Sequence, residues 1–134
     1  MLLLSLVAVI IKLIFSAQLI PNNQQELNKM NLLYLIPMAV IWAPIVEEAI
    51  FRGCLKRFIK NDKAFIIVST IVFGLLHTIF AETSLAAILI QSLQYMAMGF
   101  ALSYSYAKTN NICVDTSIHF IQNFMAIMVT AIMF

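Results

Sequence analysis

Glu47, Glu48 and Arg52 lie within one apolar run, "APIVEEAIFRGCLKRF" (Ala43 to Phe58), of a chain that is only 10% charged. An ionised group at mid-bilayer costs about 2.5–3.5 kcal/mol on insertion scales, so acids inside such a run need a partner or a task. Glu48 and Arg52 are four residues apart, share a helical face and can pair there. Glu47 sits about 100° further around the axis and is the acid left unpaired. "FGLLH" (Phe73 to His77) places an imidazole one turn after a phenylalanine, and "HFIQN" (His119 to Asn123) places an imidazole and a carboxamide on one face. One carboxylate, two imidazoles and a carboxamide are the parts of a hydrolytic site: a base, its partner and donors for an oxyanion. Each has a plainer use when taken singly. His77 can bond a carbonyl inside a bundle, and Asn123 can join one helix to another. Glu47, His77 and His119 also make three zinc ligands with an open fourth position, although no H-E-x-x-H pair is present and Asn123 is a poor zinc ligand.

Such residues need helices in a bilayer to hold them. The 134 residues are 63% hydrophobic and include three glycines, and mean hydropathy is +0.97, leaving too few polar side chains to cover a globule in water. A spanning helix needs roughly 20 apolar residues. Five segments qualify: Leu2 to Ile20, Leu32 to about Phe51, Ala64 to Phe80, Ser84 to Tyr106 and about Val114 to Phe134. The runs are continuous rather than alternating, which excludes a barrel. The expected fold is all-α, a polytopic bundle of about five spans, with residues 1–31 as an N-terminal apolar helix and outer loop and residues 32–134 as the core. Lys12 interrupts the first run, which reads as a weak span or a surface helix with a snorkelling lysine rather than a cleaved signal. Pro37 and Pro44 each remove a backbone donor ahead of Glu47, as an ordinary kink or as a gate.

Lys56, Arg57, Lys60 and Lys63 cluster between the second and third segments. Basic residues collect on the cytoplasmic side, so this connection is expected inside, with the N-terminus inside and the C-terminus outside. The net charge of +2 then reflects topology and gives no sign of nucleic acid. Cys54 and Cys113 form no C-x-x-C pair and read as small buried or interfacial residues near the cytoplasmic side.

"EEAIFR" (Glu47 to Arg52), "FGLLH" and "HFIQN" match, in order, the E-E-x-x-x-R, F-x-x-x-H and H-x-x-x-[ND] motifs of the CPBP family of intramembrane proteases. The chain resembles this family from about Leu32 to Phe134. The family includes the type II CAAX prenyl endopeptidases (Rce1-like, or Abi proteins) and bacterial bacteriocin-processing or self-immunity proteins. The resemblance implies that Glu47 and His77 polarise a water and that His119 and Asn123 steady the oxyanion. Glu48, Arg52 and Phe73 are supporting residues, and no cofactor is implied. It also implies a bacterial plasma membrane and a peptide or membrane-protein substrate. Family members commonly carry further spans before the first motif, so a homo-oligomer or partner membrane protein is expected to close the cavity.

Three functions fit. An endopeptidase acting in peptide maturation or bacteriocin self-immunity, or on CAAX prenyl proteins, uses all the motif residues. A non-catalytic immunity or regulatory protein would retain them unused. A transporter component would need an acidic relay, and none is apparent beyond Glu47 and Glu48.

Overall fold

The computed structural model describes residues 32–79 and 84–133, and every described element is helical. The expected first segment, Leu2 to Ile20, the loop after it and nearly all of "AETS" lie outside these residues. Among the described residues there are four helices: α1 (Leu33–Phe58), α2 (Asp62–Leu76), α3 (Leu85–Thr109) and α4 (Ile112–Met133). By length and composition α1, α3 and the Ile112–Val129 part of α4 can cross a membrane. The segment expected to span from Ala64 to Phe80 is shorter in the structure. Its 15 helical residues rise about 22 Å, and the helix ends at Leu76, leaving His77 as its cap.

The polar connections place the helix ends. Asn61 Oδ1 accepts from Ala64 N at 3.0 Å to start α2, and Ser84 Oγ accepts from Ala87 N at 3.3 Å to start α3. Asn110 takes the left-handed conformation that ends α3, with φ 49°. Lys56 Nζ donates to Lys60 O and pairs with Asp62 Oδ1, both at 2.8 Å, tying the end of α1 to the start of α2.

α1 contains two π-helical stretches, Ile36–Trp42 and Ala49–Cys54, on either side of an α-helical stretch, Ala43–Glu48. At the first, Ala43 N–H donates to Met38 O, five residues back. The next residue is Pro44, which has no N–H, so Ala39 O is left without a donor from its own helix. Asn123 Nδ2 on α4 donates to it at 2.8 Å. Leu35, Val40 and Ile127 pack together beside this bond.

α2 packs on α3 through small residues. A Cβ at Gly74 would collide with Met96 Cγ and come within 3.0 Å of Ser92 O, and one at Gly99 would meet Phe73 Cβ at 3.1 Å. Thr78 Oγ1 and Ser92 Oγ bond across this seam at 2.7 Å; one hydroxyl donates across it, and the other donates to the carbonyl one turn back on its own helix, Gly74 O or Ile88 O. Large apolar side chains such as Trp42, Ile50, Ile67, Leu93, Phe100 and Ile121 are exposed. In lipid that outer surface is the solvated one. Cys54 and Cys113 are both free and exposed, which corrects the expectation of burial.

Candidate active site

The three motifs converge inside the bundle. Glu47 and Glu48 come from the α-helical stretch of α1, His77 from the cap of α2, and His119 from the second turn of α4. Arg52 Nε lies 3.0 Å from Glu48 Oε2, with both side chains fully buried, so the pairing expected from the i, i+4 spacing forms. Arg52 Nη2 also donates to Gly99 O at 3.2 Å, and the guanidinium lies 5.2 Å from the centre of the Phe73 ring, within cation–π reach.

Glu48 has a second role that spacing did not reveal. Its Oε1 accepts from His119 Nδ1 at 2.8 Å. The tautomer follows from the acceptor: a carboxylate held by Arg52 can only accept, so Nδ1 carries the proton. His77 is fixed in the same sense, because its Nδ1 lies 2.8 Å from Phe73 O, and a carbonyl also only accepts. Phe73 and Tyr95 flank the His77 ring, with centroid separations of 4.4 and 4.5 Å. Both imidazoles are thus anchored through Nδ1 and present Nε2.

Both Nε2 atoms face one acid. Glu47 Oε2 is 3.6 Å from His77 Nε2 and 3.6 Å from His119 Nε2, too far for a direct hydrogen bond. Glu47 is 25% exposed and His77 19%, whereas His119 is 2% exposed. The open side of the cluster is therefore the Glu47–His77 side. Glu47, left unpaired along its own helix, faces His119 from the Nε2 side, while Glu48 bonds the Nδ1 of the same ring.

Asn123, expected beside His119 as an oxyanion donor, commits one N–H to Ala39 O. That is the helix-joining use also open from the sequence. Its amide has a second N–H. Among the described residues no group of three or more His, Cys, Asp or Glu is arranged as a metal-ligand set.

One acid was missed. Asp115 lies one turn before His119 on α4 and is fully buried, which corrects the reading that the bundle holds no acid beyond Glu47 and Glu48. The available signal was its i, i+4 spacing to His119, the same spacing that identified Glu48 and Arg52.

Fold and site together define a membrane-embedded helical protein with a buried acid–histidine cluster contributed by three helices. The comparisons agree. Residues 29–125 match the family described as type II CAAX prenyl endopeptidase Rce1-like, and the chain belongs to that family, a family of proteases. It is 33% identical over 98 residues to YdiL of Bacillus subtilis (strain 168), which is named as a candidate membrane peptidase; the match covers 70% of this chain and 36% of that protein. Two proteins of Lactococcus lactis subsp. lactis (strain IL1403) are also similar. UPF0177 protein YaiH is 58% identical over 38 residues (28% of this chain, 16% of the relative), and UPF0177 protein YxdF is 29% identical over 79 (59% and 40%). The chain thus spans two fifths or less of the length of these relatives. No solved structure matches.

Proposed function

We propose that this chain is an intramembrane endopeptidase that hydrolyses a peptide bond with a water activated by Glu47 and His77. The observation that carries the reading is the meeting of two Nε2 atoms on one carboxylate oxygen, each imidazole anchored through its other nitrogen. At 3.6 Å neither imidazole bonds Glu47 directly, which leaves the Glu47 carboxylate free to bond a water.

In this reading a water donates a proton to Glu47 as its oxygen attacks the scissile carbonyl carbon. The C=O electron pair moves onto the carbonyl oxygen. That oxyanion is met by His119, whose Nε2 carries a proton when the ring is an imidazolium and whose Nδ1 is held by Glu48. The second N–H of Asn123 is the other donor. The C–N bond then breaks as Glu47 returns the proton to the leaving nitrogen, with His77 Nε2 steadying the water and the acid in turn. Glu48 and Arg52 hold the geometry, and Phe73 supports His77 and Arg52.

The substrate proposed is a peptide or membrane-protein segment reaching the site from the bilayer, in peptide maturation or bacteriocin self-immunity. The family description makes prenylated CAAX peptides the other class to try. The protein is placed in a bacterial plasma membrane with its basic α1–α2 connection inside, and a second copy or partner membrane protein completes the cavity. Incubating purified protein in lipid with bacteriocin leader peptides and with prenylated peptides, and locating cuts by mass spectrometry, tests the reading. No cut in any class would favour the binding role instead.

A further inference from the structure

α3 carries none of the three motifs, yet one of its side chains touches the site. The Tyr95 ring stacks on the His77 imidazole, with centroids 4.5 Å apart and planes 26° from parallel. Phe73 lies 4.4 Å from the same imidazole at 32°, but it stands one turn back on α2, so that contact comes with His77's own helix. Tyr95 reaches the ring from a different helix.

His77 needs that support more than His119 does. His119 lies within α4, is 2% exposed and is bonded through Nδ1 to Glu48. His77 is the cap residue of α2, stands on the open side of the cluster and is 19% exposed. Its Nδ1 bond to Phe73 O fixes one atom of the ring and leaves the ring able to tilt about that contact. A second aromatic face stacked against it limits the tilt.

Two neighbouring contacts set where Tyr95 stands. Thr78, the residue after His77, bonds Ser92 on α3 at 2.7 Å. Gly99 lies one turn after Tyr95 on the same face, and a Cβ there would meet Phe73 Cβ at 3.1 Å; its carbonyl oxygen accepts from Arg52 Nη2 at 3.2 Å. Tyr95 lies between these two points on α3, so the packing that seats Phe73 and Arg52 also brings the phenol ring to His77. We propose that Tyr95 is a positioning residue of the site: its ring holds the plane of the His77 imidazole and keeps Nε2 aimed at Glu47 Oε2.

The chain has two histidines, so protein labelled with ¹³C at histidine and reconstituted in lipid gives ring signals from His77 and His119 alone. The measurement is the order parameter of each ring C–H bond. In the wild type both rings should be as ordered as rigid backbone, at about 0.85, and in Tyr95→Leu the His77 value should fall below about 0.6 while that of His119 holds. Tyr95→Phe, which keeps the ring, should restore His77. An unchanged His77 in folded Tyr95→Leu overturns the proposal, and so does equal loosening of both rings, which is a general loss of packing. If Tyr95→Leu does not fold, Tyr95→Met, which is flexible and has no ring, takes its place. A His77 ring already mobile in the wild type overturns the proposal whichever variants fold. The ring measurement is independent of the hydrolase reading, and only the kinetic consequence rests on it. There Tyr95→Leu should lower kcat about 10- to 100-fold, as misplacement of a catalytic group does, with KM unchanged and with Tyr95→Phe active. An unchanged kcat, or a rise in KM alone, overturns the proposal, whereas a wild type that cleaves nothing counts against the hydrolase and leaves the ring order as the test.

Discussion

Glu48 divides its two carboxylate oxygens between Arg52 and His119, at 3.0 Å from Arg52 Nε and 2.8 Å from His119 Nδ1. One buried acid thus braces α1 internally and joins it to α4. Removing either member of the Glu48–Arg52 pair leaves a buried charge uncompensated, at a cost of about 3–5 kcal/mol. Glu48→Ala and Arg52→Ala should each lower the melting temperature in detergent, and the double variant should lose less than the sum. Strict additivity would contradict the pairing.

Asn123 answers a vacancy made by Pro44. Asn123→Ala leaves Ala39 O without a donor, and an unsatisfied buried acceptor costs about 1–3 kcal/mol, so stability should fall. If the second amide N–H also meets the oxyanion, turnover should fall by about 10²–10³. Adding Pro44→Ala supplies a backbone N–H near Ala39 O and should recover stability without recovering turnover. Recovery of both would leave Asn123 a purely structural role, and recovery of neither would refute the account of Ala39 O.

The close approach of α2 to α3 depends on Gly74. Gly74→Ala forces a methyl against Met96 Cγ and the Ser92 carbonyl, and overpacking of this kind costs about 1–3 kcal/mol. Thermal unfolding should show the loss, and Met96→Ala added to it should return part. A Gly74→Ala protein as stable as the wild type would mean that the helices do not pack so closely.

What was legible in the sequence was local. Helix geometry fixes which residues share a face, so the Glu48–Arg52 bridge followed from spacing alone, and the apolar runs required a helical membrane fold. Contacts between distant segments were not legible. Glu48 and His119 are 71 residues apart, and nothing in either motif says which ring nitrogen meets which oxygen. Asp115 was overlooked because it stands near the start of α4, where a charge ordinarily reaches the membrane surface, yet packing buries it. The partner of Asn123 is a backbone carbonyl, which has no residue type of its own and is vacant only because a π-helical register meets Pro44. Hydropathy carried the third segment to Phe80, while the helix ends at Leu76 and uses His77 as its cap.

The orientation in the membrane is open to direct labelling. Cys54 and Cys113 are exposed thiols and must first be replaced by serine. Asn61→Cys in that background should then resist an impermeant thiol reagent added to intact cells and react once the cells are opened. Labelling in intact cells would invert the topology.

The central claim is that Glu47 takes the proton from the attacking water. The most direct measurement is mass spectrometry of a cleaved peptide in ¹⁸O-labelled water, comparing wild type with Glu47→Gln in the presence and absence of a chelator. The amide keeps the shape of the side chain but cannot serve as the base. The wild type should place one ¹⁸O in the new carboxylate with or without chelator, and Glu47→Gln should yield no product while keeping the wild-type melting temperature. Cleavage by Glu47→Gln at the wild-type rate would contradict the claim. So would activity that the chelator abolishes and zinc restores, which would make Glu47, His77 and His119 ligands of a metal that activates the water instead.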